Sequence, residues 1–230
     1  MPHMPATGAS GLDLYVRLPR GWHWVANGRP EKVSNEQTLV PNWPGGKREY
    51  MLYFPLYNGA DSVEIGVPPE ASLEPGPPYA PRVRPILFYG SSILQGGCAA
   101  HPGMAYPSII GRMLDWPTIN LGFSGNGKSE PEIAELFAGL EPAVYVYDSL
   151  PNLTAQEAVE RIEPFLRTLR KARPKTPIVL VENAMYPNMQ FSENRRKLIN
   201  EKNATLKAVY GKLRKEGYPL SGPSAALKTS

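Results

Sequence analysis

The 230 residues are 42% hydrophobic and 20% charged, which excludes a disordered chain and leaves room for one large domain or two unequal ones. The net charge of +4 comes from scattered basic residues. They are densest at Arg195, Arg196, Lys197, Lys202, Lys207, Lys212, Arg214 and Lys215, a run that reads as one solvated helix face. Without aromatics interleaved on one surface, that run argues against a nucleic-acid partner. One cysteine, Cys98, excludes an intrachain disulfide framework. Met1 to Ser10 holds no basic region followed by an apolar stretch, and no eighteen apolar residues run together. The expectation is a cytoplasmic protein with no membrane partner.

From Leu12 to Pro68 the apolar residues fall in short runs broken by Gly, Pro and Asn: Leu14 to Leu18, Trp22 to Ala26, Tyr50 to Leu56 and Val63 to Val67. These predict strands with tight turns and no helix, hence a small all-β domain over residues 1–80. Pro68 to Pro85 holds seven prolines and closes that domain with a stiff, extended linker. Residues 81–230 then alternate between two patterns. Ile86 to Tyr89, Thr118 to Phe123, Ala143 to Tyr147 and Ile178 to Val181 read as buried strands. Tyr106 to Leu114, Glu132 to Leu140, Ala155 to Ala172 and Ser192 to Glu216 read as helices. Within the third of these, Val159, Ile162, Phe165, Leu166 and Leu169 recur at helical spacing, and Thr154 with Glu157 forms a capping-box pattern. Such alternation predicts a mainly parallel sheet covered by helices, an α/β fold.

In an open parallel sheet, ligands sit beyond the carboxyl ends of the strands. Those ends carry Gly90-Ser91-Ser92, Ser124-Gly125-Asn126-Gly127, Asp148-Ser149 with Pro151-Asn152, and Glu182-Asn183. Each alone reads as turn and capping chemistry. Together they bring a hydroxyl, Ser92, to the same rim as a glycine-turn N–H near Gly125 and an amide, Asn152, which are the group types that acyl transfer needs.

Gly90-Ser91-Ser92-Ile93 resembles the first block of the SGNH (GDSL-like) hydrolases, with Ser92 at the nucleophile. Asn120-Leu121-Gly122-Phe123-Ser124-Gly125-Asn126-Gly127 is similar to the second block, placing the oxyanion glycine on Gly125. Pro151-Asn152 resembles the third, placing the oxyanion asparagine on Asn152. Gly11-Leu12-Asp13-Leu14-Tyr15 matches the signature of the GxDLY domain that precedes a subset of this family. The resemblance implies a three-layer, flavodoxin-like α/β fold and hydrolysis of carboxylic esters, often acyl groups on sugars. It implies a small-molecule substrate and no cofactor. Ser91 stands where the family usually has aspartate, a position outside the triad.

The family's fourth block, Asp-x-x-His, supplies the base and its orienting carboxylate after a last strand. Here the last aspartate is Asp148 and the last histidine is His101, so no catalytic Asp or His is found and the last strand is expected to be missing. This implies feeble turnover from a truncated or frameshifted hydrolase, or else a non-catalytic carbohydrate or acyl binder. An unpaired sheet edge would favour a homo-oligomer. Of the other candidates, His101 reads as a loop histidine near the rim, His23 as a packed residue beside Trp22 and Trp24, and His3 as part of a frayed terminus. Glu182 would need a raised pKa to act as base. Gly122, Gly127, Lys128 and Ser129 satisfy a phosphate-loop pattern, with Val144 to Asp148 as an accompanying strand, but Pro131 starts the following helix too late for it. Cys98 reads as a small buried thiol, and no metal-ligand cluster is spaced along the chain.

Overall fold

The computed structural model describes residues 2–80, 83–218 and 220–221. In chain order its elements are α1 (Ala6–Ser10), β1 (Asp13–Leu18), β2 (Gly21–Asn27), β3 (Tyr50–Tyr53), β4 (Ile86–Gly90), α2 (Ser92–Gln95) and α3 (Tyr106–Leu114). They continue with β5 (Thr118–Gly122), α4 (Pro131–Ala138), β6 (Val144–Asp148), α5 (Ala155–Ala172), β7 (Ile178–Leu180), α6 (Glu193–Lys215) and β8 (Leu220–Ser221). The chain divides into two compact units, one made of Met1–Val83 with Gly96–Trp116, the other of Arg84–Gln95 with Pro117–Ser230.

The first unit is built on an antiparallel sheet of order β2-β1-β3. Asp13 and Tyr15 of its central strand are buried at alternate positions, as on a covered sheet face, and Val16 on the opposite face is buried as well; the register with β2 shifts between Leu14 and Tyr15. The cover comes partly from α3: the Arg112 guanidinium lies 4.0 Å over the Tyr15 ring and 5.3 Å from that of Tyr53. The expected small β unit is present as this antiparallel sheet, and α1 and α3 join it in the same compact unit. Five residues containing Gly8 show no helical period, and α3 lies beyond the linker in sequence. Val63 to Val67 forms no strand; Ile65 and Val67 are exposed, and alternating apolar residues without a sheet neighbour have nothing to pair with.

The second unit holds a wholly parallel sheet of order β5-β4-β6-β7-β8 flanked by helices. Four strands match the expected ones within two residues at each end. The last place, expected to be missing, is filled in part: Leu220 and Ser221 pair with Ile178 and Val179, and Leu220 is buried. Leu87 and Tyr89 on β4, Tyr145 and Tyr147 on β6, and Ile178 and Leu180 on β7 pack against α4, α5 and α6 in one apolar cluster. Tyr89 stacks on Phe165 of α5 with ring centroids 5.0 Å apart. The α5 capping box is present, Thr154 Oγ1 accepting from the Glu157 N–H and Glu157 accepting from the Thr154 N–H. Its buried stripe runs Ala158, Ile162, Phe165, Leu166, Leu169. Val159, one position off that stripe, is exposed instead. Among the described residues no helix is long and apolar enough to cross a membrane.

Candidate active site

The site is assembled in the second unit at the carboxyl ends of β4, β5 and β6. Gly90 ends β4 opposite Asp148 of β6 and Gly122 of β5. The strands meet there so closely that a Cβ on Gly90 would lie 2.1 Å from the Asp148 carbonyl oxygen. The chain then turns at buried Ser91 and enters the short helix α2, whose first residue is Ser92. Ser92 is half-buried, and its hydroxyl meets no hydrogen-bond partner among the described residues.

Asn120 fixes this turn from β5. Its Nδ2 donates to the Leu94 carbonyl at 3.0 Å, at the end of α2, while its Oδ1 accepts from the Gly122 N–H at 3.0 Å. Gln95 answers by accepting the Ser124 N–H at 2.8 Å. The second-block loop folds back over β4: Phe123 N–H donates to the Gly90 carbonyl at 2.9 Å. Gly127, at φ +65°, passes so near that a Cβ would sit 2.4 Å from the same oxygen. Gly125 also has positive φ, +71°, with open space on its Cβ side, and its N–H has no acceptor among the described residues.

Asn152 lies on a 3-10 turn, Leu150–Asn152, just past β6. Its Nδ2 donates to the Phe123 carbonyl at 3.1 Å and to the Asn126 carbonyl, so the third block is tied directly to the second. Both N–H bonds of that amide are thereby engaged in the loop, and donating to an oxyanion requires one of them to be released. Ser92, Gly125 and Asn152 thus follow the carboxyl ends of β4, β5 and β6, three neighbouring strands of one sheet.

Beneath the rim lies a hydroxyl network. Ser129 Oγ bonds Tyr147 OH at 2.6 Å and Ser149 Oγ at 3.3 Å, Ser149 Oγ donates to the Gly127 carbonyl, and the Ser129 N–H donates to Tyr89 OH at 2.8 Å. Burial pushes the Tyr89 and Tyr147 pKa values well above the ordinary tyrosine value. This explains the phosphate-loop lookalike. Lys128 and Ser129 precede α4 instead of opening it, Ser129 is buried at φ +58°, and the Lys128 ammonium lies 3.6 Å from Glu157.

The remaining candidates go elsewhere. In the first unit, His101 Nδ1 sits 2.5 Å from Asp13 Oδ2, and that fully buried carboxylate also accepts from the Trp24 indole at 2.9 Å and the Gly103 N–H at 2.7 Å. The aspartate of the GxDLY signature is thus the hub of its own unit. His23 Nδ1 contacts the Gly21 carbonyl at 2.9 Å on an exposed edge, and Glu182 pairs with Lys207 at 3.2 Å. Cys98 is exposed, not buried; it sits at φ +66° in a glycine-rich loop that has no side-chain bulk to cover it. Among the described residues no group of three or more His, Cys, Asp or Glu could hold a metal ion.

Two residues of α6 escaped the sequence analysis. Lys202 and Asn203 are buried. The Lys202 ammonium donates to the carbonyls of Leu150 at 2.8 Å and Leu153 at 3.0 Å. Asn203 accepts from the Asn183 N–H at 2.8 Å and donates to the Asn183 carbonyl at 3.1 Å. The solvated-face reading of the basic run therefore fails at Lys202. The signal was present, since Lys202 is three residues past Ile199 and four before Leu206 on the apolar stripe.

This arrangement, a serine on the first strand-to-helix turn with a glycine turn and an asparagine on the neighbouring strand ends, defines an SGNH-type hydrolase scaffold. The profile of the GDSL-like Lipase/Acylhydrolase family matches residues 83–219, and GxDLY, the N-terminus of SGNH hydrolase-type esterases, matches residues 1–73. The chain belongs to the GDSL-like lipase/acylhydrolase family and carries its GxDLY N-terminus. It is similar over 97% of its length, at 35% identity and a TM-score of 0.91, to a Bacteroides ovatus protein described as a GDSL-like lipase. A salicylyl-acyltransferase from a tetracycline biosynthetic pathway aligns over 93% of the chain at 18% identity and a TM-score of 0.71. A family two carbohydrate esterase of Clostridium thermocellum, solved with cellohexaose, aligns over 95% at 13% identity and a TM-score of 0.53. The last two share the fold alone. The chain spans 66%, 60% and 76% of these three proteins in turn. No curated protein sequence matches it significantly.

Proposed function

We propose that the chain is an SGNH-type serine esterase acting on small carboxylic esters, among them acyl groups on carbohydrates. Ser92 is the nucleophile, and the Gly125 N–H and Asn152 amide are the oxyanion donors. The observation that carries this is the placement of those three groups on the ends of adjacent strands β4, β5 and β6. The similarity to a GDSL-like lipase at 35% identity supports the esterase class.

In the reaction, Ser92 Oγ attacks the ester carbonyl carbon and its proton passes to a base. The carbonyl oxygen becomes the oxyanion held by Gly125 and Asn152, and its collapse expels the alcohol and leaves an acyl-serine that water then cleaves. The sequence given contains no histidine after His101, so no family-type base acts on Ser92 within it. Loss of one triad member leaves about a thousand- to ten-thousandfold catalysis over water through the oxyanion hole and binding. Ser92, Gly125 and Asn152 acting without such a base would turn over slowly. The test is hydrolysis of a short activated ester near pH 8 beside Ser92→Ala. Turnover lost in the variant supports the esterase, and equal background rates in both defeat it.

One observation favours a second reading, a pocket that binds acylated carbohydrate without turnover: both Asn152 N–H bonds are already engaged with the Phe123 and Asn126 carbonyls. Calorimetric binding of an acetylated oligosaccharide, with no hydrolysis over hours, would select it.

A further inference from the structure

We propose that Lys202 is a positioning residue of this site: from α6 its ammonium holds the Leu150–Leu153 turn and so sets where Asn152 presents its amide. The inference rests on the esterase reading for the role of Asn152, but the contacts it invokes stand by themselves.

Lys202 is 3% exposed, and its Nζ lies 2.8 Å from the Leu150 oxygen, 3.0 Å from that of Leu153 and 3.5 Å from that of Pro151. Among the described residues these carbonyls are its partners, and no carboxylate pairs with it. Burying a cation without a counter-charge is costly. An apolar side chain would serve packing better here, as Ile199 and Leu206 do at the neighbouring stripe positions. The three N–H donors of Lys202 instead gather the carbonyls of one turn, adding a second donor to the Leu150 oxygen, which already accepts the Leu153 N–H, and reaching the Leu153 and Pro151 oxygens beside it.

That turn is the one bearing Asn152, whose amide in turn ties down the Phe123 and Asn126 carbonyls around Gly125. A chain of direct hydrogen bonds thus runs from Lys202 to the Leu150–Leu153 turn, to Asn152, and to the loop holding the other oxyanion donor. The next residue, Asn203, closes a paired hydrogen bond with the main chain of Asn183, past the end of β7. Helix α6 thereby pins the segments that follow β6 and β7 with two consecutive polar side chains.

The test compares the full chain with Lys202→Met and Lys202→Arg, with Ser92→Ala as the blank. Hydrogen exchange is followed peptide by peptide and ester hydrolysis is resolved into kcat and KM. Lys202→Met is expected to raise exchange locally over residues 149–154 and 122–127. It should lower kcat roughly ten- to hundredfold, as a misplaced catalytic group does, with KM nearly unchanged. Lys202→Arg, which keeps charge and donors, should recover part of both. If Lys202→Met does not fold, Lys202→Gln carries the same comparison. Unchanged exchange over 149–154, or an increase spread evenly through α6 and the sheet, would overturn the proposal, as would kcat and KM falling short together. If the parent chain shows no Ser92-dependent turnover, the esterase reading fails, and the exchange over 149–154 alone then decides whether Lys202 holds the turn.

Discussion

Asp13→Asn removes the charge at the centre of the N-terminal unit while keeping its shape. The carboxylate is fully buried and receives the Trp24 indole N–H at 2.9 Å, the Gly103 N–H at 2.7 Å and the His101 ring nitrogen at 2.5 Å. An asparagine offers one acceptor oxygen and one NH2 group. If its oxygen keeps Gly103 and His101, the NH2 confronts the indole N–H; if it keeps Trp24, the NH2 confronts the other two donors. At least one buried donor loses its acceptor in either orientation, and the surviving bonds lose their charge assistance. With about 1–3 kcal/mol for each stranded donor, the loss of stability should be about 2–4 kcal/mol. Trp22, Trp24, Trp43 and Trp116, all four tryptophans, belong to the unit containing Asp13, so tryptophan fluorescence in a urea titration reports its unfolding. Pairing Asp13→Asn with His101→Ala should cost less than the sum of the two alone. A loss under about 1 kcal/mol for Asp13→Asn would refute the hub assignment, since it would mean the three donors are satisfied without the carboxylate.

Gly90→Ala should cost about 3 kcal/mol or more, because its Cβ would meet the Asp148 carbonyl at 2.1 Å and backbone has little room to yield. Gly125→Ala meets nothing within 4 Å and has only the left-handed φ of +71° to contend with, so about 1 kcal/mol is expected from the same denaturant titration. Toward acid, Arg17 beside Asp115, the Thr154 N–H bonded to Glu157, and Lys212 with Arg167 around Glu163 hold these carboxyls below their ordinary pKa. Their contribution is present above the ordinary carboxylate range and is lost as pH falls through the depressed values; added salt should shrink it, which thermal melts at several pH values will show. Toward alkali, burial raises Tyr15 to about 12 and raises Tyr89, Tyr145 and Tyr147 as well. Stability should hold below pH 10, near the unfolded tyrosine pKa, and fall above it, with phenolate absorbance rising cooperatively at unfolding instead of along a free-tyrosine curve.

Local periodicity made the second unit legible. The α5 stripe and its capping pair, four strand cores and the polar strand ends are short-range signals, each contained within a few residues of sequence. The three proposed site residues stand out in the sequence because their chemistry falls at those ends. Partnerships distant in sequence were not readable. Nothing local shows that Gly96–Trp116 joins the N-terminal unit, or that His101 answers to Asp13 across eighty-eight residues. Lys202 was hidden by residue type: a lysine within a basic run reads as solvent-facing unless its position on the apolar stripe is weighed first. Val63 to Val67 failed in the opposite way, since alternation marks a strand only where a partner strand exists.

The central claim, that Ser92 is the nucleophile, is tested most directly by covalent labelling with a fluorophosphonate followed by peptide mapping, because an irreversible adduct accumulates even on a slow serine. The account predicts one dominant adduct, on Ser92, absent from Ser92→Ala and raised in yield by longer exposure. Labelling that is scattered over other hydroxyls at the same rate in both chains would contradict it.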